Sequence, residues 1–342
     1  MRHPSPVPEP TQDQHATGAL PWALAWQEAL YGPRGFYRHQ APSGHFATSA
    51  QGLPGAGRLL AEAVLALAHR HGCSRIVDVG AGRGELLGHL RNLAPDLHLT
   101  GVDVVERPAG LDVERWLVSP GGSELPADLV DLQDTLVLAH EWLDVVPCPV
   151  VERADDDPEG LPRWREVEVA ADGSEHPGAP LTGADLEWSR AWLGPGVGRA
   201  EIGAARDRAL ADLLDRVRSG LVVVVDYGHT AADRPRHGTL TGFRSGREVR
   251  PVPDGSCDLT AHVAFDALAQ VARAQTQLTT QTALLRELLG DPGVPVPHHL
   301  ATTGPAAYLD AIARRAALTA LTAPGGLGDF HWLLAPLTGP PA

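Results

Sequence analysis

The feature that most constrains this chain is a glycine-rich turn between an apolar strand and a helix. The string VDVGAGRGELL occupies residues 77–87 and places glycine at positions 80, 82 and 84. Glycine is needed where the backbone adopts a positive φ or where a ligand lies against the main chain. The helix that follows offers free N–H groups and the positive end of its dipole to an anion. The string therefore predicts a ligand-binding turn at the carboxyl end of a strand.

Apolar strands and helical stretches alternate on both sides of this turn. Strands are expected over residues 75–79, 97–103, 135–139, 221–226 and 330–334. Helices are expected over residues 20–30, 59–71, 85–93, 261–290 and 305–320. This alternation predicts an α/β fold with a parallel, doubly wound, Rossmann-like sheet whose two faces are covered.

Composition shifts divide the chain into five parts. Residues 1–18 are rich in Pro, Gln and Thr and are expected to form a disordered tail, followed by N-terminal lid helices over 19–72. The first part of the core spans 73–150, and 151–200 is interpreted as an inserted subdomain with a possible hairpin near 164–170. The second part of the core spans 201–335 and carries an irregular inserted loop at 229–257.

Charge excludes several classes of function. The 342 residues carry a net charge of −14, which argues against nucleic-acid binding because phosphate neutralisation needs clustered cations. The chain contains no lysine, so all 28 of its Lys and Arg positions are arginine. Schiff-base chemistry, pyridoxal phosphate enzymes and a P-loop lysine are therefore excluded.

Cysteine usage and hydropathy indicate the compartment. Cys73, Cys148 and Cys257 are far apart, which predicts neither a disulfide framework nor a metal site and favours a reducing compartment. The longest aliphatic run, 221–225, is far shorter than the ~20 residues of a membrane span. We therefore expect a cytoplasmic protein, and its oligomeric state stays open.

The spacing of the turn selects its ligand. A dinucleotide fingerprint reads G-x-G-x-x-G, but its third glycine would fall on Glu85, and an acid there disfavours a pyrophosphate. A ligand with one carboxylate, one ammonium and one sulfonium fits better, which predicts S-adenosylmethionine (SAM) as cofactor. The backbone around Gly80, Ala81, Gly82 and Gly84 would bind its carboxylate, and Asp78 would lie near its positive end. NAD, FAD or a ligand-free structural turn remain alternatives.

A second acid is expected to bind the ribose. Asp103 ends the string LHLTGVD and lies 19 residues after Gly84, close to the ~20 usual for nucleotide-binding α/β folds. A carboxylate only accepts hydrogen bonds, whereas two vicinal hydroxyls donate them. Asp103 is thus predicted to complete the cofactor site.

Eight strings resemble the MidA-like family of SAM-dependent methyltransferases in order along the chain. They are ALYGPRGFY (29–37), GHFATS (44–49), VDVGAGRGELL (77–87), HEWLDVVP (140–147), VDYGH (225–229), GTLTGFR (238–244), DLTAHVAFDAL (258–268) and GLGDFHWLL (326–334). The resemblance implies a class I methyltransferase fold and a protein arginine methyltransferase linked to assembly of respiratory complex I. This chain departs from the family with His140 in place of Asn, Asp78 in place of Glu and Gly44-His45-Phe46 in place of GDF.

The acceptor side is predicted from acidic residues that follow the strands. Carboxylates can hold a guanidinium in a bidentate fork and direct one nitrogen at the methyl group. The candidates are Glu141, Asp144, His140, Asp226, Tyr227, His229 and His262. Glu141 is the first choice, although it could instead cap a loop. Asp226 could equally cap a turn, the Tyr227 ring could equally pack in the core, and His262 could be a structural hydrogen-bonding group.

The loop before the sheet is predicted to contribute Phe46, Thr48 and Ser49 to a lid over the cofactor, with a packing arm as the alternative. The function expected from all these features is methylation of an arginine in a protein acceptor, for which a complex I subunit is one candidate. The alternatives are a small-molecule N- or O-methyltransferase and a SAM-binding assembly factor that transfers nothing. An NAD-dependent oxidoreductase is the least favoured.

Overall fold

The structure is a computed structural model that describes residues 18–39, 53–154, 163–272 and 275–338. The strands within these ranges are β1 Leu20–Pro21, β2 Arg75–Val79, β3 His98–Asp103, β4 Arg115–Val118, β5 Thr135–His140, β6 Val150–Arg153, β7 Trp164–Val169, β8 Glu175–Pro180, β9 Arg199–Glu201, β10 Gly220–Asp226, β11 Gly228–His229, β12 Thr241–Arg244, β13 Arg247–Val249, β14 Asp258–Thr260, β15 Val263–Ala264, β16 Gln277–Thr280 and β17 His331–Leu337. The helices are α1 Trp22–Tyr31, α2 Phe36–His39, α3 Ala56–Arg70, α4 Glu85–Leu93, α5 Gly183–Trp192, α6 Ala204–Asp215, α7 Phe265–Ala272, α8 Gln281–Leu289, α9 Leu300–Thr303 and α10 Pro305–Leu321.

A seven-stranded sheet forms the centre of the molecule in the order β16-β17-β10-β5-β2-β3-β4. The predicted α/β class is confirmed, but the prediction of a wholly parallel sheet is wrong. β10, β5, β2, β3 and β4 run parallel, whereas β17 runs antiparallel to both β10 and β16. Pairing of Asp226 with His331 and of Gly220 with Leu337 shows that β17 enters at the carboxyl edge of β10. The sheet is therefore mixed.

Alternating side chains of the central strands pack into two cores. Leu136 and Leu138 of β5 pack with α3, α4 and α8 on one face, while Val137 and Ala139 pack with α6 and α7 on the other. Every residue of β5 is buried, which explains why this strand has an unbroken apolar sequence. Full burial of a Leu or Val side chain contributes about 1.5–3 kcal/mol, so the two cores hold the sheet between helical layers.

Two short strands of the central sheet were not expected. β4 is an edge strand of only four residues without a buried one, so its pattern carries little signal. β16 interrupts the predicted helix over 261–290, which is two helices, α7 and α8, with the strand between them. Its segment QLTT is mostly exposed and becomes a strand by pairing with β17, a tertiary contact that local periodicity does not reveal.

A second, antiparallel sheet combines β1 with four strands that lie between β5 and α6 in the sequence. It has the order β1-β7-β6-β9, with β8 paired to β7. The predicted hairpin near 164–170 is confirmed by the pairing of β7 with β8. Trp22 and Trp26 of α1 are buried against this sheet and the segment around Leu259. Helix α1 is thereby packed firmly, because its two tryptophans belong to the core of the second sheet.

The region 229–257, predicted to be irregular, contains ordered strands. β12 pairs with β13 and with β14 in a small antiparallel sheet, and β11 pairs with β15. These strands have only two to four residues, too few for a clear periodic pattern, and β14 and β15 pair with strands more than ten residues away. Within the described ranges, no helix has both the length and the hydropathy to cross a membrane.

Candidate functional site

The glycine turn joins β2 to α4 at a topological switch point of the central sheet. β2 pairs with β3 on one side and with β5 on the other, and such switch points are where open α/β sheets bind ligands. The φ angles of Gly80, Gly82 and Gly84 are 76°, 59° and 75°, a region that costs an L-residue roughly 1–2 kcal/mol. The N–H groups of Gly80 and Ala81 donate to the carbonyl of Val102 at 2.9 and 3.1 Å, which fixes the turn against β3.

Asp103 closes the other side of the turn. Its Oδ2 accepts the N–H of Gly82 at 2.7 Å, and its Oδ1 accepts the N–H of Val105 at 3.3 Å. An ionised carboxylate has about four acceptor positions, so capacity remains for two further donors. The side chain predicted to bind a ribose therefore also shapes the glycine turn.

Acidic groups surround this turn. Burial raises the pKa of Asp78 to about 8, and the charges of Asp103 and Glu85 add to the effect. Burial also raises the pKa of Asp103 to about 6, against the N–H bonds that lower it. A pyrophosphate would add negative charge to this environment, whereas an ammonium or sulfonium would relieve the repulsion. The acids thus fit the cationic groups of SAM, and the first N–H groups of α4, which have no intrahelical partner, can bind its carboxylate.

The loop after β5 begins with a strained residue. Glu141 has a φ of 52°, which is uncommon outside glycine, and its N–H donates to the carbonyl of Val225 at 2.8 Å. Strain of this kind is held in place by the surrounding fold and clusters at functional sites. Its neighbour Trp142 contacts the cofactor turn, because a Cβ added to Gly80 would lie 3.5 Å from the Trp142 Cβ. The loop that carries Glu141 therefore lies beside the predicted cofactor site.

His140 is buried at the end of β5 and contacts Glu141. Its Nδ1 lies 3.5 Å from Oε1 of Glu141, and its ring stacks on Phe330 with centroids 6.3 Å apart. Burial lowers the pKa of His140 to about 4, so the ring is neutral near pH 7. Its buried Nε2 has no hydrogen-bond partner among the described residues.

Asp144 and Asp226 form a buried carboxyl pair. Oδ2 of Asp226 accepts the N–H groups of Leu143 and Asp144 at 3.0 and 3.3 Å, so Asp226 does cap the turn after β5. Oδ2 of Asp144 accepts the hydroxyl of Thr260 at 2.6 Å. Burial raises the pKa of both acids, and the charge of Asp144 raises that of Asp226 further. We assign the proton of the pair to Asp226 and the charge to Asp144.

Tyr227 and His262 lie in a row of rings beside the carboxyl pair. The Tyr227 ring packs on Phe330 with centroids 3.9 Å apart and stacks with His262 at 6.0 Å. The packing interpretation of Tyr227 is therefore supported by contacts, and its hydroxyl has a raised pKa because of burial, then Glu141. The His262 ring is exposed, while its main-chain N–H donates to the hydroxyl of Thr239 at 2.9 Å.

His229 belongs to a different group of side chains. Its Nδ1 lies 3.3 Å from Nη1 of Arg234, whose Nη2 donates to Asp266 at 2.6 Å. Burial, followed by the charge of Arg234, lowers the pKa of His229 to about 3. Its side-chain partner is an arginine rather than Glu141 or Asp144, whereas His262 lies close enough to lower the pKa of His229 further.

Several polar residues of this region were not selected from the sequence. Tyr37 donates to Oδ1 of buried Asp258 at 2.7 Å, and Tyr31 donates to the carbonyl of Val145 at 3.1 Å. Arg206 is buried in α6 and contacts the loop that carries Asp144. Tyr31, Tyr37 and Asp258 stand inside the strings ALYGPRGFY and DLTAHVAFDAL, so a signal existed for them. Arg206 stands in no such string.

The predicted lid is described only in part. Phe46, Thr48 and Ser49 lie outside the described residues. Helix α1 is described, and Tyr31 at its end lies near the acidic groups, since Asp258, Asp144 and Asp103 all raise its pKa in addition to burial. The end of α1 therefore lies between the glycine turn and the carboxyl pair.

Comparison with known proteins agrees with this geometry. Residues 57–284 match the sequence model of a family described as "putative S-adenosyl-L-methionine-dependent methyltransferase". No functionally curated protein matches the chain.

Solved structures from Burkholderia thailandensis share the fold. A COG1565 superfamily member bound to S-adenosylhomocysteine (SAH) is 21% identical with a TM-score of 0.70, over 93% of this chain and 87% of that one. A second, uncharacterized COG1565 protein is 22% identical with a TM-score of 0.69, over 95% and 89%. The family model covers two thirds of the residues and includes the glycine turn and the acidic loops. This chain therefore belongs to that family and is a SAM-dependent methyltransferase of the class I fold.

Proposed function

We propose that the glycine turn and the two acids beside it form the SAM site. The residues assigned to it are Asp78, Gly80, Ala81, Gly82, Gly84 and Asp103. The main chain where the turn enters α4 binds the carboxylate of SAM, the remaining acceptor positions of Asp103 bind its ribose, and Asp78 lies near its positive end. The positive φ angles and the bond from Gly82 to Asp103 support this assignment. Phe46, Thr48 and Ser49 stay assigned to the lid from the sequence alone.

We propose further that the acceptor is the guanidinium of an arginine in a protein. The observation that carries this proposal is the acidic group formed by Glu141, Asp144 and Asp226 next to the cofactor turn. Glu141 and Asp144 follow β5, and Asp226 ends the neighbouring parallel strand β10; burial and then the charges of Asp144 and Glu141 raise the pKa of Asp226. A buried acidic pocket favours a cationic acceptor and can bind it through charge-assisted hydrogen bonds.

These side chains have different roles in the proposed reaction. SAM supplies an electrophilic methyl group on a sulfonium. Glu141 holds the guanidinium so that one nitrogen faces that methyl group, and it accepts the proton that the nitrogen loses. Such positioning lowers a barrier by several kcal/mol. Asp226 caps the loop through the N–H groups of Leu143 and Asp144, so it positions Asp144 rather than binding the acceptor.

The identity of the acceptor protein follows from resemblance. The similarity to MidA-like proteins makes a respiratory complex I subunit the first acceptor to test, in a cytoplasmic setting. His140, which replaces the Asn of that family, lies directly against Glu141 and is the position at which acceptor choice would differ. A small-molecule acceptor and a silent SAM-binding assembly factor are the outcomes that would replace this proposal.

The proposal is tested by labelling an extract of cells that lack this gene with radioactive SAM and the purified protein. We expect label on arginine after hydrolysis of the protein fraction. Glu141→Gln should lower the labelling rate about 100-fold, as loss of a general base does, and keep the affinity for SAH within about threefold. Glu187→Gln, at an exposed position on α5, is the matched control and should label at the normal rate.

Three results would contradict it. Label confined to molecules that pass a dialysis membrane indicates a small-molecule acceptor. Binding of SAH by calorimetry without label in any fraction indicates an assembly factor. Normal labelling by Glu141→Gln removes Glu141 from the acceptor site.

A further inference from the structure

Arg206 is a buried cation at the centre of the acceptor site. It lies in α6 with 2% of its surface exposed. Its Nε donates to the carbonyl of Val146 at 3.2 Å, its Nη1 to that of His262 at 2.8 Å and its Nη2 to that of Asp144 at 2.9 Å. Its guanidinium also lies 5.7 Å from the centre of the Trp26 ring. One side chain thus connects the loop after β5, the segment after β14 and helix α1.

The segment at His262 is held from a second side. The N–H of His262 donates to the Thr239 hydroxyl at 2.9 Å, and that hydroxyl donates to Glu201 at 3.0 Å. Glu201 also accepts the N–H groups of Thr239 and Leu240. Both main-chain groups of His262 are therefore fixed by hydrogen bonds, which holds this segment beside the loop after β5.

The acceptors of Arg206 are unusual for a buried cation. Its three hydrogen bonds all go to main-chain carbonyls, whereas buried charges are commonly paired with an opposite charge. The planar fork of arginine matches three fixed acceptors in a way that the flexible ammonium of lysine does not. This arrangement keeps the carboxylates of Asp144 and Asp226 available to other partners.

The charge of Arg206 nevertheless acts on those carboxylates. It lowers the pKa of both Asp144 and Asp226 and opposes the larger effect of burial. The other titratable groups that face the pair are Glu141, Tyr31, Tyr37, Tyr227, Asp258 and His262. None of these groups carries a positive charge near pH 7: the tyrosines and Asp258 are mostly neutral, and burial lowers the pKa of His262, so Arg206 is the permanent positive charge of the group.

We propose that Arg206 is a positioning residue of this methyltransferase: it fixes the main chain at Asp144 and His262 around the acceptor and places a permanent positive charge beside the Asp144–Asp226 pair. This inference rests on the proposed function, because it assigns Arg206 to the acceptor side of the same site. In this inference Arg206 makes two contributions, a hydrogen-bonded geometry and a positive charge. Different substitutions remove one or both of them.

The test compares R206Q, R206K and R208Q. Arg206→Gln removes both contributions, so the labelling rate should fall about tenfold or more, and its rise with pH should move upward by about one unit. Arg206→Lys keeps the charge without the fork, so the rate should fall while the pH at which it rises stays at the wild-type value. Arg208→Gln, at an exposed position two residues along α6, should match the wild type in both readouts.

A second measurement does not depend on the acceptor. In protein labelled with ¹³C at aspartate carboxyl carbons, the resonance that Asp144→Asn removes should titrate at higher pH in Arg206→Gln than in the wild type. An unchanged midpoint, or a wild-type rate and pH profile in Arg206→Gln, overturns the inference. If Arg206→Gln fails to fold, a wild-type rate in Arg206→Lys overturns it. If the wild type binds SAH but labels no molecule, the proposed function is wrong. The ¹³C titration of Asp144 alone then tests the effect of the Arg206 charge.

Discussion

The cofactor turn and the acceptor site are neighbours in space but are built in different ways. The proposed cofactor residues all lie between Asp78 and Asp103, on two adjacent strands and the turn between them. The acceptor side combines the loops after β5 and β10, the segment after β14, helix α6 and the end of α1. The first is a local structure determined by backbone conformation, and the second is a tertiary structure held by buried side chains such as Arg206.

Because of this difference, the two sites respond differently to substitution. The turn depends on φ angles that glycine alone adopts readily, so one added side chain can disrupt it. The acceptor side depends on hydrogen bonds between distant segments, so a single lost bond weakens it by a smaller amount. The predictions below test this contrast.

The largest effect is expected from Gly82→Val. A β-branched residue is strongly disfavoured at a φ of 59°, and the shift of the peptide would also break the bond from Gly82 to Asp103. We expect the affinity for SAH to fall at least about thirtyfold, which corresponds to about 2 kcal/mol. Isothermal titration calorimetry measures this change directly.

Gly88→Ala is the matched control for that substitution. Gly88 lies inside α4, where an added Cβ meets no other atom within 4 Å. Alanine in a helix is favoured over glycine by roughly 0.5–1 kcal/mol, so this variant should melt at a higher temperature and bind SAH normally. Equal affinity of Gly82→Val and Gly88→Ala would mean that the turn does not contact the cofactor.

A smaller effect is expected from pH. Because burial raises the pKa of Asp78 to about 8, its carboxyl is mostly protonated at pH 7. Binding of a cationic group beside it favours the ionised form, so a proton must leave. The affinity for SAM should therefore fall as pH is lowered from 8 to 7, by less than about tenfold. Above pH 8 the contribution of Asp78 is constant.

Isothermal titration calorimetry in buffers of different ionisation enthalpy measures the number of protons released when SAM binds. Near pH 7 the wild type should release close to one more proton per SAM bound than Asp78→Asn does, since the variant retains only the titration of the ligand's own amine. An identical proton count in both proteins would show that Asp78 does not ionise on binding.

The same contrast explains how much the sequence could predict. Strand β2, helix α4 and the end of β3 at Asp103 lie within one or two residues of their predicted positions, because apolar runs and glycine spacing are local signals. Glu141 and Asp144 were identified as candidates because they lie shortly after the predicted strand 135–139, and Asp226 because it ends the predicted strand 221–226. Their assignment to acceptor binding stays a proposal.

Contacts between distant segments could not be predicted from such local signals. The antiparallel direction of β17 depends on how α10 returns the chain, and β16 becomes a strand only through β17. Arg206 resembles any other arginine of an amphipathic helix, and its burial is visible only when three carbonyls surround it. The hydrogen bond from Tyr37 to Asp258 joins residues 221 positions apart, a distance over which no local pattern operates.

The smallest effect is expected from Tyr37→Phe, which removes that bond. Oδ2 of Asp258 already has no hydrogen-bond partner among the described residues, so loss of the Tyr37 hydroxyl removes the donor to its other oxygen. Such a loss costs about 1–3 kcal/mol of unfolding free energy, and denaturant titration should show it. Burial raises the pKa of Asp258 to about 8, and the Tyr37 bond opposes this effect, so the variant should lose the most stability where the carboxyl is ionised, above pH 8. Tyr308→Phe, at a half-exposed position on α10, should leave stability unchanged. If Tyr37→Phe instead abolished SAH binding while the protein stayed folded, the cofactor turn would depend on the acceptor side, and the two would not be built independently.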